Sequence, residues 1–228
     1  MMGKVYFVSG IDTDVGKSVV TGLMARYFRL RGIDAITVKM VQTGGEGSSE
    51  DIETHRAISG SGLLEEDKSG LSAPQIFRFP SSPLLAAKLE NREVDLAKIL
   101  HSVEECAAKH EIVLVEGAGG LAVPLVGETL TIDFIAQQGW PLLFVTCGRL
   151  GAINHIVLSL EAAASRKIPI AGFLHNYHPK AEPVIDEDTV NELAKHSFRL
   201  GYTAPILRIA ALSSYGSEET PDFSCIFK

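Results

Sequence analysis

The chain has 228 residues, of which 46% are hydrophobic and 21% are charged, values that are typical of a globular protein and exclude a disordered or fibrous chain. Its 21 Lys and Arg residues against 28 Asp and Glu residues give a net charge of −7. The chain therefore lacks the broad basic field that drives non-specific nucleic-acid binding, and we expect no nucleic-acid partner. The length predicts a single domain over residues 1–228.

The sequence predicts neither a targeting segment nor a membrane segment. The first four residues lead directly into a strand-like segment, and no apolar run approaches the roughly 20 residues that span a bilayer. We therefore expect a cytoplasmic protein with no membrane partner. Cys106, Cys147 and Cys225 lack the C-x-x-C spacing, so we expect plain thiols rather than a metal or redox site.

Short apolar strands alternate with amphipathic helices along the chain. This pattern predicts an α/β fold with a mostly parallel sheet and helices on both faces. In chain order, the predicted elements of the first half are strand Lys4–Ser9, a helix from about Lys17 to Leu30 with Gly32 at its end, strand Asp34–Val41, a Gly- and Ser-rich loop at Gln42–Ser49, a solvated loop at Glu65–Lys68, and helices Ser82–Leu89 and Asp95–Lys109. Those of the second half are strand Ile112–Glu116, helix Thr131–Gln138, strand Pro141–Thr146, a helix over Ile153–Ala164, strand Ile168–Leu174, helix Asp186–Leu200, and a last strand within Ala204–Ala211, with Ser213–Lys228 unassigned.

A phosphate-binding loop, Gly10-Ile-Asp-Thr-Asp-Val-Gly-Lys-Ser18, lies between the first strand and the first helix. Glycines let such a backbone fold around phosphate oxygens, the lysine neutralises β- and γ-phosphate charge, and the serine hydroxyl can bind Mg²⁺. Five residues rather than four separate its two outer glycines, so a turn that binds nothing is the alternative. We predict a P-loop NTPase-type protein that binds ATP or another nucleoside triphosphate through Thr13, Asp14, Val15, Gly16, Lys17 and Ser18.

Further polar residues follow or end predicted strands. Lys39 and Glu116 end two of them, and Thr43 follows in the glycine loop, at the edge where open parallel sheets bind ligands. Glu116 ends a buried apolar run and resembles the carboxylate that acts on Mg²⁺ in other P-loop enzymes. The alternatives are a solvated lysine, a turn hydroxyl at Thr43 and, for Asp51, an acid at a helix N-terminus.

Five segments in this order resemble the dethiobiotin synthetase family. They are the phosphate loop, V-K-M-V-Q-T-G around Lys39, S-S-P ending at Pro83, V-L-V-E-G-A-G-G-L-A-V-P-L from Val113, and L-G-A-I-N-H from Leu150. The loop alone is widespread, whereas E-G-A-G-G and L-G-x-I-N-H together are far more specific. The resemblance covers residues 10–176, most of the chain.

The resemblance implies an ATP- and Mg²⁺-dependent enzyme of biotin synthesis. It would close the ureido ring of dethiobiotin from 7,8-diaminopelargonic acid and CO₂, through a carbamate and its mixed anhydride with phosphate, and release ADP and phosphate. By the same resemblance, Lys17 and Lys39 are catalytic, and Ser18, Asp51 and Glu116 hold Mg²⁺. The other implied contacts are Gly117, Ala118, Gly119 and Asn176 for nucleotide, and Thr43, Pro83, Leu150 and Asn154 for substrate, with the last two serving the partner subunit of a homodimer.

The chain departs from the family pattern at the expected base pocket. Thr203-Ala204-Pro205-Ile206 stands where relatives have G-x-x-P, and the tail is unfamiliar, so we predict relaxed choice of nucleotide. Two alternatives remain at this point. A partition ATPase usually has an extra lysine early in the loop, where this chain has Asp12 and Thr13, and an amide-forming synthetase would need a further domain or a partner.

Overall fold

The computed structural model describes residues 2–178 and 180–227. The strands are β1 (Lys4–Gly10), β2 (Ala35–Lys39), β3 (Gln42–Thr43), β4 (Ile76–Phe77), β5 (Ile112–Gly120), β6 (Pro124–Val126), β7 (Thr129–Leu130), β8 (Leu142–Cys147), β9 (Ile170–Asn176) and β10 (Ile206–Ile209). The helices are α1 (Lys17–Leu30), α2 (Glu50–Ser59), α3 (Glu65–Lys68), α4 (Pro83–Leu89), α5 (Leu96–Lys109), α6 (Thr131–Gln138), α7 (Ala152–Ser165) and α8 (Pro183–Arg199), followed by a 3₁₀ turn at Leu212–Ser214.

The central sheet has six strands in the order β10-β9-β8-β1-β5-β2, and every neighbouring pair is parallel. All six residues of β8 are buried, as expected of a strand covered on both faces. The chain moves from β1 towards β2 through α1, and in the opposite direction from β5 through α6 and α7. Right-handed crossovers therefore place these helices on opposite faces of the sheet, and the predicted fold class is confirmed.

Local capping explains where several helices begin. The Ser82 hydroxyl accepts a hydrogen bond from the Leu85 amide, with Pro83 in the first turn of α4. The Asp95 carboxylate accepts one from the Lys98 amide at the start of α5. The predicted helices Ser82–Leu89 and Asp95–Lys109 are therefore confirmed, with their first predicted residues acting as the N-caps.

Four local predictions were wrong. The loop expected at Gln42–Ser49 begins with β3, which pairs with β4, and Glu65–Lys68 forms the short helix α3 rather than a loop. The strand expected to end at Glu116 continues to Gly120, and that expected at Asp34–Val41 covers only Ala35–Lys39. The hairpin of β6 and β7 had not been predicted. Strands of two or three residues are too short to show a period, so only tertiary pairing defines them.

The unassigned tail packs against α1. Phe223 is fully buried with its ring centroid 5.4 Å from that of Tyr27, and the rings of Phe227 and Phe28 are 4.7 Å apart. Arg26 of α1 donates hydrogen bonds to the carbonyls of Gly216 and Glu219. The tail therefore extends the apolar core that α1 shares with the sheet.

The three cysteines are free thiols, as predicted. Cys106 and Cys147 are buried and Cys225 is exposed. Burial raises the pKa of the Cys106 thiol to about 11, so it stays protonated and unreactive at neutral pH. Within the described residues, none of the helices combines the length and apolar character needed to cross a bilayer.

Candidate active site

A cavity of about 930 Å³ opens at the carboxyl ends of β1, β2 and β5. Twelve of the predicted site residues line it, namely Thr13, Asp14, Gly16, Lys17, Ser18, Lys39, Thr43, Asp51, Pro83, Glu116, Ala118 and Gly119. The lining also includes residues that were not among the predicted site residues, among them Gln42, Thr54, Ser81, Ser82, Val123 and His178. One cavity therefore contains both the phosphate loop and the residues expected to contact substrate.

The backbone of the phosphate loop adopts a conformation that requires glycine, as its sequence predicted. Gly16 has φ +87°, and a methyl group at this position would collide with the Asn176 side-chain amide. Asn176 ends β9, is buried, and donates a 3.0 Å hydrogen bond to the Val15 carbonyl, while its own carbonyl accepts one from the His178 amide. Asn176 thus supports the loop from behind, next to the start of α1.

Lys17, the loop lysine, is 7% exposed, and its Nζ donates a 2.7 Å hydrogen bond to the Asp12 carbonyl. Burial lowers the pKa of this lysine, against the opposing effect of the nearby carboxylates. Asp12 is not among the residues that line the cavity. Its carboxylate forms an ion pair with Arg149 and accepts a hydrogen bond from the Thr13 amide. The Asp12 side chain therefore caps the loop from within.

Lys39 lies between two carboxylates. Its Nζ is 2.6 Å from Asp51 Oδ2 and 3.0 Å from Glu116 Oε1, and it also donates to the Gly117 carbonyl at 2.9 Å. The Ser18 hydroxyl lies within hydrogen-bonding distance of the same two acids, 2.6 Å from Asp51 Oδ1 and 2.9 Å from Glu116 Oε1. The three predicted metal-binding residues and a predicted catalytic lysine therefore form one cluster.

Mutual pairing sets the charges of this cluster. Burial by itself would raise the pKa of Glu116, but the charge of Lys39 and the hydrogen bond from His55 hold it far below its usual range. Burial would lower the pKa of Lys39, and the charges of Glu116 and Asp51 outweigh that effect and raise it. At neutral pH the lysine is therefore a cation and Glu116 an anion.

His55 is a site residue that the sequence did not single out. Its side chain is fully buried, and Nε2 lies 2.8 Å from Glu116 Oε2. Its position in the sequence could have indicated this role, because it follows Asp51 by one turn of α2. It also lies on the same helix face as Ile52, Arg56 and Ser59, all of which are buried.

Two predicted substrate residues lie outside the cavity lining. Leu150 is 88% exposed in the turn before α7, and Asn154 is exposed in the first turn of that helix. Val15 and Asn176 form the supporting layer behind the phosphate loop rather than its inner surface. Gly117 offers its carbonyl to Lys39.

The chemistry of the Ser18, Asp51 and Glu116 cluster suits Mg²⁺. Two carboxylates and a hydroxyl are hard oxygen donors, and P-loop sites leave the remaining Mg²⁺ positions to phosphate and water oxygens. Over residues 2–178 and 180–227, no group of three or more His, Cys, Asp and Glu side chains gathers as a metal cage. Ser18, Asp51 and Glu116 are the residues that could hold a Mg²⁺ ion here.

The chain is similar to known proteins over most of its length. A family model described as an AAA domain matches residues 4–213. The ATP-dependent dethiobiotin synthetase BioD 2 of Pasteurella multocida is 43% identical, over 86% of this chain and 92% of its own length. The corresponding synthetase of Chlorobaculum tepidum is 45% identical over 91% and 87%, and that of Haemophilus influenzae, BioD 2, is 46% identical over 78% and 94%.

Solved structures with the same fold are more distant in sequence. A ParA family ATPase from Chlorobium tepidum superimposes with a TM-score of 0.53 at 16% identity, over 92% of this chain and 84% of that one. The signal recognition particle receptor FtsY from Elizabethkingia anophelis gives 0.52 at 12% identity, over 100% of this chain and 65% of that one. Both likenesses show a P-loop NTPase-like fold and nothing about activity.

Proposed function

The chain belongs to the dethiobiotin synthetase family, and from this membership we infer that it is an ATP-dependent ligase that closes the ureido ring of dethiobiotin. The substrates are 7,8-diaminopelargonate, CO₂ and ATP, and the products are dethiobiotin, ADP and phosphate. The observation that carries this conclusion is the convergence of Lys17, Lys39, Ser18 and Glu116 in the cavity that also contains Thr43.

We propose three successive steps. One amine of the substrate attacks CO₂ and loses a proton, which gives a carbamate. A carbamate oxygen then takes the γ-phosphoryl group of ATP, with ADP as the leaving group. The second amine attacks the carbonyl carbon of this mixed anhydride and loses its proton, the C–O bond to phosphate breaks, and the ring closes with release of phosphate. None of these steps needs a nucleophilic side chain.

The two lysines are suited to the phosphoryl transfer. Such reactions depend on positioning and charge neutralisation, because the transferred group and the carbamate are both anionic. Lys39 is held by Asp51 and Glu116, whose charges keep it protonated, and Lys17 projects from the loop that would surround the phosphates. We assign both lysines to neutralising charge on the carbamate and the phosphoryl group.

Mg²⁺ is the cofactor that the oxygen cluster favours. Ser18, Asp51 and Glu116 would hold it, and the bound ion would supply charge neutralisation on the phosphate oxygens. The glycine segment at Ala118 and Gly119 borders the same space and would approach the nucleotide closely. Asn176 would contribute to nucleotide binding from its position behind the loop.

A homodimer is part of this proposal. The cavity lining contains Thr43 and Pro83 but neither Leu150 nor Asn154, whose side chains are exposed on another part of the chain. Exposure suits a role in a partner subunit's site better than a role in the subunit's own cavity. We also propose that the enzyme is cytoplasmic. We propose one domain over residues 1–228 as well, and the continuous apolar core that the described residues form around the sheet supports this.

Nucleotide choice remains a prediction. The unusual Thr203–Ile206 segment leads into β10, and we propose that this chain accepts other nucleoside triphosphates besides ATP. The ratio of kcat/KM for ATP to that for GTP measures this directly. A strong preference for ATP would contradict it.

The deciding experiment uses purified protein with ATP, Mg²⁺ and bicarbonate, with and without 7,8-diaminopelargonate. Phosphate release should depend on the diamine. The amount of phosphate released should equal, mole for mole, the amount of dethiobiotin formed, which mass spectrometry measures. ATP hydrolysis that is indifferent to the diamine would contradict the proposed substrate while leaving the phosphate loop in place. It would favour the partition-ATPase alternative, which rests on likeness of fold alone.

A further inference from the structure

His55 makes two hydrogen bonds deep in the protein, at the base of the proposed metal site. Its Nε2 faces Glu116 Oε2 at 2.8 Å and its Nδ1 faces Thr37 Oγ1 at 3.0 Å. Both His55 and Thr37 are fully buried, so water does not compete for these bonds. A buried ring with both nitrogens engaged has a fixed orientation.

The surroundings select one tautomer of the His55 ring. Arg56 Nη1 donates a 2.8 Å hydrogen bond to Thr37 Oγ1, and because a guanidinium has only donors, the threonine proton must point elsewhere. His55 Nδ1 is the acceptor within reach of that proton. Nδ1 is therefore unprotonated and Nε2 carries the hydrogen towards Glu116, whereas the opposite tautomer would set a ring lone pair against a carboxylate.

Arg56 is itself held firmly in place. It forms two hydrogen bonds with the Asp67 carboxylate, at 2.9 and 2.8 Å, and both side chains are less than 10% exposed. The Ser72 hydroxyl donates to the same carboxylate at 2.6 Å. Hydrogen bonds therefore run without interruption from the α3 region through Arg56, Thr37 and His55 to Glu116.

Because of the last of these bonds, the two oxygens of the Glu116 carboxylate have different partners. Oε2 is taken by His55, and Oε1 is left to face Lys39 at 3.0 Å and Ser18 at 2.9 Å. We propose that His55 is a positioning residue that presents Glu116 Oε1 to the metal and phosphate side of the cavity. Its importance for Mg²⁺ rests on the proposed function, but the tautomer does not.

The tautomer is tested in the ligand-free protein by NMR of the imidazole nitrogens at pH 8. We expect a hydrogen on Nε2, the nitrogen that faces Glu116. Thr37→Ser keeps the hydroxyl and should preserve this signature. Thr37→Val removes the partner of Nδ1 and should shift the Nδ1 resonance, while the hydrogen stays on Nε2 beside Glu116. Thr189→Val, at a buried threonine in α8 whose hydroxyl donates to the Ile185 carbonyl, should change nothing. A hydrogen on Nδ1 in the wild type, or an Nδ1 resonance that Thr37→Val leaves unchanged, would overturn the inference.

The positioning role is tested by the affinity for Mn²⁺ together with ADP, measured by electron paramagnetic resonance. His55→Phe fills the space without a donor, whereas His55→Gln can still place an N–H near Glu116. Loss of an outer-shell partner typically weakens metal binding about 10- to 100-fold, so we expect a Kd at least about tenfold higher for His55→Phe and largely restored for His55→Gln.

Circular dichroism shows whether each variant is folded. If His55→Phe does not fold, the Mn²⁺ affinities of the Thr37 variants test the positioning role instead, with weaker binding expected for Thr37→Val than for Thr37→Ser. Equal Mn²⁺ affinity in the wild type and a folded His55→Phe, or an equal loss in His55→Gln, would overturn the positioning role. These outcomes differ from failure of the proposed function, which would show as a wild-type enzyme that makes no dethiobiotin.

Discussion

Lys39 and Glu116 stand opposite each other in the register of β2 and β5, and their side chains form a 3.0 Å ion pair that is almost completely buried. They are 77 positions apart in the chain. In a parallel pair, registered residues project to the same face of the sheet, so the strand pairing itself brings the lysine to the carboxylate. Helix α2 then covers this face with Asp51 and His55, one turn apart.

Replacing Lys39 by methionine should impair both catalysis and stability. Removal of a preorganised cation at a transferring group typically lowers kcat about 100-fold or more. Leaving Glu116 and Asp51 without the lysine should also lower the free energy of unfolding by about 3 kcal/mol. Product formation and urea denaturation measure the two effects. Lys68→Met, which removes an exposed ion pair with Glu65, is the matched control and should leave stability nearly unchanged. Wild-type turnover by a folded Lys39→Met protein would exclude a catalytic role.

The Glu116 carboxylate should make the free energy of unfolding decrease as the pH falls into the acid range. Its pKa is lower in the folded protein than in the unfolded chain, so its contribution is complete above the unfolded pKa of about 4.3 and is lost as the pH falls below that value. The Glu116→Gln variant should show a shallower loss in this range, by up to about 1.4 kcal/mol per pH unit. Urea denaturation between pH 7 and pH 3 measures the slopes, with Glu53→Gln on the exposed face of α2 as control. Identical slopes for Glu116→Gln and the wild type would contradict a lowered pKa of Glu116 in the folded protein.

Replacing Gly16 by alanine should abolish productive nucleotide binding. The residue has φ +87°, and its new methyl group would meet the Asn176 amide that supports the loop. Gly32→Ala is the matched control, because Gly32 also has positive φ but has open space around it. The backbone strain alone costs about 1–2 kcal/mol in either variant. We therefore expect similar losses of stability from strain, with the loss of ATP binding, measured by calorimetry, confined to Gly16→Ala. Retained affinity in that variant would show that the loop adapts.

The tail should serve stability rather than nucleotide binding. Phe223→Ala removes a fully buried ring from its contact with Tyr27 and should lower the free energy of unfolding by about 3–5 kcal/mol. The KM for ATP should stay unchanged, because none of the residues lining the cavity comes from the described tail, 213–227. Phe198→Ala, at a residue that is 77% exposed, is the control for loss of a phenylalanine. A raised KM in Phe223→Ala at a temperature where it is folded would place the tail near the nucleotide.

Mixing two inactive variants tests the shared dimer site. If Asn154 serves the partner's site, a heterodimer of Lys39→Met and Asn154→Ala subunits contains one intact site. Random exchange should then restore about a quarter of the wild-type activity. Activity after mixing is compared with that of each variant alone, and size-exclusion chromatography reports the oligomeric state. No gain on mixing, with exchange demonstrated, would argue that Asn154 acts within its own subunit.

Sequence patterns predicted the elements that are long and locally encoded. The phosphate loop, the caps at Ser82 and Asp95, and the buried run that ends in Glu116 each carry their signal within a few residues. The carboxyl-edge rule then predicted that Lys39 and Glu116 would lie at one edge of the sheet. The family resemblance supplied the candidate roles, which spacing alone could not have provided.

Tertiary structure decided which of those residues actually meet. Strand order is a long-range property, and only the placement of β2 beside β5 converts two strand-end residues into an ion pair. The same holds for His55, whose importance depends on a threonine of β2 and a glutamate of β5 that have no local relation to α2. It holds as well for the tail, whose scattered aromatics have no period and find their place only against α1. The sequence by itself thus determined the fold class and the chemical groups, because periodicity and turn chemistry are local, and the tertiary structure decided their pairing, because packing and strand register join residues far apart in the chain.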